Sequence, residues 1–494
     1  MSLCREGLGA KVTSMSVSVV VDVSDVLMRL ANALDWQQLA ERALPDLQQT
    51  AKGCWWRGRK LNMRTHLGVL VLQSLLKETD RGIERRIRQT PLYQVFCGSG
   101  VVAQWQCPDH TKIETFRNRL SPATHKQIGD AVLQVGAALG FADPTWMDLD
   151  STVQEANMAY PADAQLMRKL VQKCGKVLAF VKKAKKRYVP KDLHLDLDSI
   201  NKKAKEYFFL AKNTAMEKRR EVFRAYHRRV KQQLKPILAF FFALSPQAYA
   251  TLPWNMRQAI DQITSHGWRF VLDVAQFIRT QTIKPDKLLA FHCFEVACIR
   301  KGKVGKENEF GRVFQLGRIG GNFLIPFTCT EVRMEDPQSL LPALAEHGRI
   351  FGAGVLKAVG TDKGYYSANN IREVQQAGIN ADGIQRPRQV KDRPPEEVVR
   401  PLRNRRAGIE PLIGHVKAFG LGKSKMKSDP TTLASGYRAV LGFNLHQLLR
   451  HLAAKAEGKS KPRDHNSQTP KRSSLSITIK PGGQPVPYFA TATN

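Results

Sequence analysis

Apolar and polar positions along the chain fall into stretches of two different periods. Between residues 24 and 142 the period is helical: Leu27, Leu30, Leu34 and Leu39 form one stripe, and Leu67, Leu70, Val71 and Leu75 form another, both near the 3.6-residue repeat of an amphipathic helix. Residues 91–98 read as a helix end and 108–120 as the next start, with Thr111 and Glu114 at capping-box spacing and Asp109 and His110 as capping residues. From Thr145 to Gln154 the pattern alternates, with Trp146, Asp148 and Asp150 on one face and Met147 and Leu149 on the other, as a strand requires. Residues 162–282 return to the helical period, with Met216, Phe223, Tyr226, Val230 and Leu234 on one stripe. Strand patterning then resumes at 288–299, 310–316 and 323–332, a helix is predicted over 339–347, and a short apolar run from Ala358 ends at Asp362. Ser367 as N-cap and Gly378 as stop predict a helix over 368–377. The two periods together predict an α/β fold preceded by an all-α region and interrupted by a helical block.

Charge narrows the partner. The chain of 494 residues carries 77 Lys and Arg against 43 Asp and Glu, a net charge of +34. An excess this large favours a polyanion, and nucleic acid before a membrane surface. Arg219, Arg220, Arg224, Arg228, Arg229 and Lys231 decorate one helical stretch, and Lys182 to Arg187 form a second basic run. Arg300, Lys301 and Lys303 sit in a basic connection between two predicted strands, whose glycines lack the spacing of a phosphate-binding loop. That connection reads equally as a hairpin on a DNA backbone and as a solvated loop. Trp55 to Lys60 mixes aromatic and basic residues and reads as a surface turn. No run is apolar enough to span a bilayer, and the first residues lack a secretion signal, so a cytoplasmic, nucleoid-associated protein without membrane contact is expected. The eight cysteines have neither a disulfide framework nor zinc spacing, and reduced, buried thiols are expected.

Three carboxylates carry the candidate chemistry. Asp150 opens an Asp-Ser-Thr triplet and lies nearer the predicted strand end than Asp148, which shares its face. Asp362 ends an apolar run and is followed by Gly364 and a helix start, the way an α/β sheet delivers an acid to its carboxyl edge. On a helix turning about 100° per residue, Arg406, Glu410 and Lys417 fall within roughly 60° of one another, beside an apolar face of Ile409, Leu412, Ile413 and Val416. Pro411 fits only the first turn of such a helix. Two strand-end aspartates and a helical glutamate in a basic chain meet the needs of two-metal phosphoryl transfer, in which oxygen ligands hold two Mg²⁺ ions about 4 Å apart.

These stretches resemble the DDE transposases of bacterial insertion sequences. The likeness rests on Asp150 to Asn157, Thr361 to Ser367 and Arg405 to Lys417, with weaker support from Phe96 to Arg117 and Ile299 to Gly311, and spans roughly residues 65 to 450. It implies a ribonuclease-H-like mixed sheet flanked by helices, with Asp150, Asp362 and Glu410 as catalytic metal ligands for two Mg²⁺ ions, Mn²⁺ able to substitute. It also implies that Arg406 and Lys417 lie near DNA phosphates, as the Arg and Lys of the family's Tyr-Arg-Glu-Lys signature. Arg403 stands where that signature has Tyr. The implied partners are double-stranded DNA, at transposon ends and target, and further copies of the chain in a dimeric or larger synaptic complex.

The implied organisation is an N-terminal helical segment (1–64), a helical DNA-binding region (65–142), the first core strand (143–161) and a basic helical insertion (162–282). The rest of the catalytic core (283–454) and a flexible basic tail (455–494) follow. The insertion separates the two aspartates by 212 residues (362 − 150), an unusually long span for such a core. The implied activity is end cleavage and 3′-OH strand transfer. Alternatives are a DNA-binding protein that has lost the chemistry and a ribonuclease-H-like nuclease without strand transfer.

Overall fold

The computed structural model describes residues 18–22, 24–49, 62–98, 107–159, 161–184, 189–284, 286–303, 306–327, 335–391, 393–458 and 474–478. The Trp55 to Lys60 cluster, Lys185 to Arg187 and residues 328–332 of a predicted strand lie outside these. The chain is mixed α/β and mostly helical, with strands β1 (Ser18–Asp22), β2 (Trp146–Glu155), β3 (Ala297–Lys303), β4 (Lys306–Ile319), β5 (Phe323–Phe327), β6 (Ala358–Thr361), β7 (Asn380–Ile384) and β8 (Ser474–Thr478). It divides into two compact units, residues 1–155, 313–426 and 430–494 in the first and 156–312 and 427–429 in the second.

In the first unit the sheet order is β4-β2-β6-β7, with β5 on β4. β2 and β6 run parallel, as do β6 and β7, while β5 is antiparallel to β4, so the sheet is mixed. Burial along β2 does not follow the alternation read at residues 145–154, because Asp148 and Gln154 are buried as well as Met147, Leu149 and Val153. Met147 and Leu149 enter a core with Leu67, Val71, Leu72, Phe96, Leu133 and Val359, where the N-terminal helices pack. Phe314, Leu316 and Leu324 enter another core with Ile409, Leu412, Val416, Tyr437 and Phe443. Those three residues of 409–416 belong to the four-residue apolar face expected there, and the fourth, Ile413, packs partly buried against the same core. Helices thus bury sheet residues in two separate cores, and the carboxylates of β2 point away from the core that holds Met147 and Leu149.

Several predicted boundaries move. The helix His110–Arg119 is capped by Asp109, as expected of that residue, its carboxylate accepting from the amides of Thr111 and Lys112, while Thr111, at capping-box spacing, lies inside the helix. The aspartate wins because it is already in the extended conformation an N-cap needs. The helix after Asp362 spans Ala368–Gln376, with Ser367 as N-cap as expected. β7, unrecognised in the sequence, is Asn-Ala-Asp-Gly-Ile; its strand state comes from parallel pairing with β6 rather than from propensity. β1 pairs with β8, so residues 474–478 of the region read as a flexible tail are paired with residues 18–22.

The second unit is helical through residue 280, with Leu170, Cys174, Tyr226, Val230, Leu234 and Phe270 at its centre. Met216 does not belong to the buried stripe; it opens the helix Met216–Phe242 and is 65% exposed, since burial begins at Tyr226. The strand foreseen at 288–299 begins only at Ala297 and continues to Lys303, where it forms a hairpin with β4. Arg300, Lys301 and Lys303 are therefore strand residues rather than a connection.

Candidate active site

Strand pairing brings the two aspartates together. The pairs Trp146–Ala358, Met147–Val359 and Asp148–Gly360 are each offset by 358 − 146 = 212 residues, the separation of Asp150 from Asp362. The ladder ends at Asp148–Gly360, two residues before each of these acids, so both acids leave the paired stretch at the same end of the two parallel strands. β6 itself ends at Thr361, and Asp362 caps the short 3₁₀ turn Lys363–Tyr365, its carboxylate accepting from the Gly364 amide at 2.8 Å. Asp150 accepts from the amide of Ser151 at 2.7 Å. The turn after Asp362 is pinned from below: the Tyr365 hydroxyl donates to Gln315 of β4, and Gln315 donates to Asp336 at 3.0 Å.

Glu410 arrives from a broken helix. The helices Glu396–Ala407 and Ile409–Val416 meet at Gly408, which places Pro411 in the first turn of the second, where its missing N–H costs nothing. The break preserves the pairing of Arg406 with Glu410: one guanidinium nitrogen is 3.5 Å from Glu410 Oε1 and another 3.6 Å from Asp150 Oδ2. Arg406 therefore lies between two of the three acids. Burial pushes the Asp150 carboxyl above the ordinary carboxylate range; the Ser151 amide and Arg406 pull it back, while the charges of Asp362 and Glu410 push it further up. Asp362 and Glu410 thus both lie within electrostatic reach of Asp150. In this arrangement the three acids do not close into a ready cage, and among the described residues no group of three or more His, Cys, Asp or Glu does. The donor set itself, mutually repelling carboxylate oxygens without nitrogen or sulfur, fits a hard divalent cation such as Mg²⁺.

Asp148, on the same strand face, has a different surrounding. It is wholly buried and receives Arg405 at 3.0 and 3.2 Å, with Arg318 at 3.8 Å. Arg318 also donates to the Arg405 carbonyl at 2.7 Å, closing the end of the helix, and both guanidiniums lie over the Trp146 ring. Two glycines make the room: a Cβ on Gly360 would lie 2.4 Å from Asp148 Oδ1, and one on Gly408 would lie 2.3 Å from Arg318. Burial raises the Asp148 carboxyl against the pull of Arg405 and Arg318. Arg318 and Arg405 were not singled out in the sequence; the one signal was an acid on a strand flanked by apolar residues, which needs a cation when buried.

The other candidates are dispersed. Arg403 makes a 2.8 Å pair with Glu396 on the exposed side of its helix. Lys417 closes the helix Ile409–Val416, seven residues after Glu410, and is half-buried. Arg300, opposite Asn308, and Lys303, opposite Lys306, belong with Lys301 to the hairpin of the second unit.

Residues 17–119 match the family described as a transposase domain, DUF772. The match makes the N-terminal helical region similar to a transposase domain, over residues that include none of the three acids. Among curated proteins the chain is similar to the uncharacterized protein ORF8 in the nfe locus of Rhizobium meliloti, 25% identical over 162 residues, which is 32% of this chain and 74% of that protein. No solved structure matches it significantly.

Proposed function

We propose that the protein is a DNA transposase of the DDE type, with a ribonuclease-H-like core that cleaves the ends of its element and joins the freed 3′-OH to target DNA. The observation that supports the reading is the parallel pairing of β2 and β6 just before Asp150 and Asp362, beside a glutamate linked to Asp150 through Arg406. The transposase-domain match to residues 17–119 supports it independently. Asp150, Asp362 and Glu410 are the residues that would hold two Mg²⁺ or Mn²⁺ ions. When bound, such ions supply Lewis-acid activation of the attacking oxygen and stabilisation of the leaving one. The chain's own part is to orient the three carboxylates from β2, the end of β6 and the helix Ile409–Val416, and to offer cations to the phosphates. Arg406 borders the acids, and Lys417 follows on the same helix. The net charge of +34 supplies the sequence-independent share of DNA binding.

The test uses the full-length chain on supercoiled plasmid and on duplexes of the DNA flanking its gene, with Mg²⁺. Asp150→Ala, Asp362→Ala and Glu410→Ala are each expected to lose nicking and joining by at least about a thousandfold while retaining duplex binding. Glu373→Ala, at a partly exposed acid on the helix Ala368–Gln376, serves as the control that keeps activity. Joined products from any of the three site variants would refute the assignment, and nicking without joining in the wild type would favour the nuclease.

A further inference from the structure

Asp150, 19% exposed, and Glu410, 65% exposed, repel each other, and the more buried of the two is stabilised by a counter-charge whenever no metal is present. Here Arg406 is that charge. Its side chain is 13% exposed, its guanidinium lies between Asp150 Oδ2 and Glu410 Oε1, and its Nε is buried without a hydrogen-bond partner. The contacts of 3.5 and 3.6 Å are those of ion pairs rather than of close bidentate hydrogen bonds, so the guanidinium is held at the acids by charge rather than by directed hydrogen bonds. Its neighbour Arg405 differs: that side chain is locked to buried Asp148 and capped by Arg318, which fixes the backbone of the last helical turn.

We infer that Arg406 is a built-in occupant of the acid site, which must be drawn off before a divalent cation binds, and that a nucleic-acid phosphate is what draws it off. The inference rests on the proposed reading of the three acids. A divalent cation needs Asp150 Oδ2, the oxygen Arg406 faces, and it repels a guanidinium a few ångströms away. A phosphate offers Arg406 an alternative bidentate partner. Metal and DNA then bind cooperatively through one side chain, and the coupling is reciprocal: each tightens the other by the same factor. The consequence is a protein that holds its metals weakly until DNA is in place, which restrains cleavage away from a bound duplex.

The experiment measures Mn²⁺ binding by electron paramagnetic resonance, with no turnover required, for the full chain with and without a short duplex of arbitrary sequence. Wild type is expected to bind Mn²⁺ weakly alone and about tenfold or more tightly with the duplex. Arg406→Gln is expected to bind it tightly without the duplex and to lose the duplex effect. Arg406→Lys, which keeps the charge, is expected to stay weak without the duplex, and cooperative thermal unfolding of each variant confirms folding. Equal or weaker Mn²⁺ binding by folded Arg406→Gln without DNA overturns the inference. Asp150→Asn separates the two levels of failure. If it abolishes Mn²⁺ binding while Arg406→Gln changes nothing, the acid site stands and only the coupling falls. If it leaves Mn²⁺ binding intact, the three-acid reading falls as well.

Discussion

At the scale of single residues, β2 carries two aspartates two positions apart, with opposite fates. Asp148 is sealed by Arg405, Arg318 and the Trp146 ring, whereas Asp150 meets one guanidinium and the charges of two other acids. The sequence placed both on one face and preferred Asp150 for its place in the Asp-Ser-Thr triplet. It also put Asp150 near a strand end, yet β2 runs on to Glu155. Which acid is buried against cations depended on Arg318 and Arg405, more than 150 residues away, and pairing at that range leaves no local periodicity to read. Asp148→Ala is expected to cost about 3–5 kcal/mol in denaturant unfolding, since it leaves buried guanidinium charge uncompensated. It is therefore a poor activity control, despite its position beside the site. Gly360→Ala is expected to destabilise in the same direction, because its Cβ would displace the Asp148 carboxylate.

At the scale of elements, the site is a strand pair, a turn and a helix end. The strand just before Asp362 and the helix after it with its Ser367 cap were legible because each depends on residues within one turn of the chain. So was the position of Pro411, which forces a helix start just before it. β7 was not legible, since Asn380, Asp382 and Gly383 are poor strand formers held by their neighbour, and neither was the delayed start of β3. The 3₁₀ turn carrying Asp362 is anchored by the buried Tyr365 hydroxyl on Gln315. Tyr365→Phe removes that donor without changing packing, and is expected to lower stability by about 1–3 kcal/mol. Thermal unfolding reads the stability, and Mn²⁺ affinity, expected to fall as the turn loosens, reads the effect on Asp362.

At the scale of the whole molecule, charge and buried histidine set the response to solution conditions. DNA affinity is expected to fall with salt at a log–log slope of about −0.9 per phosphate contacted, measurable by filter binding. His125 is fully buried, with Nε2 3.1 Å from the Arg117 carbonyl, and burial beside Arg438 lowers its pKa from 6.5 to about 3. Between those values the unfolded chain holds a proton that the folded chain does not. Stability is thus intact above pH 6.5 and is lost as pH falls toward 3, by at most about 1.4 kcal/mol per pH unit for this group. His125→Gln should flatten that part of the stability profile in urea titrations run at successive pH values.

The offset shared by β2 and β6 has a consequence for how this chain tolerates change in length. What is fixed between the two strands is alignment, not sequence distance: the residues joining the strands can grow or shrink while the same side chains stay opposite. A two-residue insertion between exposed Pro190 and Lys191 should leave Mn²⁺ affinity unchanged. One residue inserted between Asp148 and Asp150 is a far smaller change to the chain. It turns the second acid to the other face of the sheet, and should abolish the site.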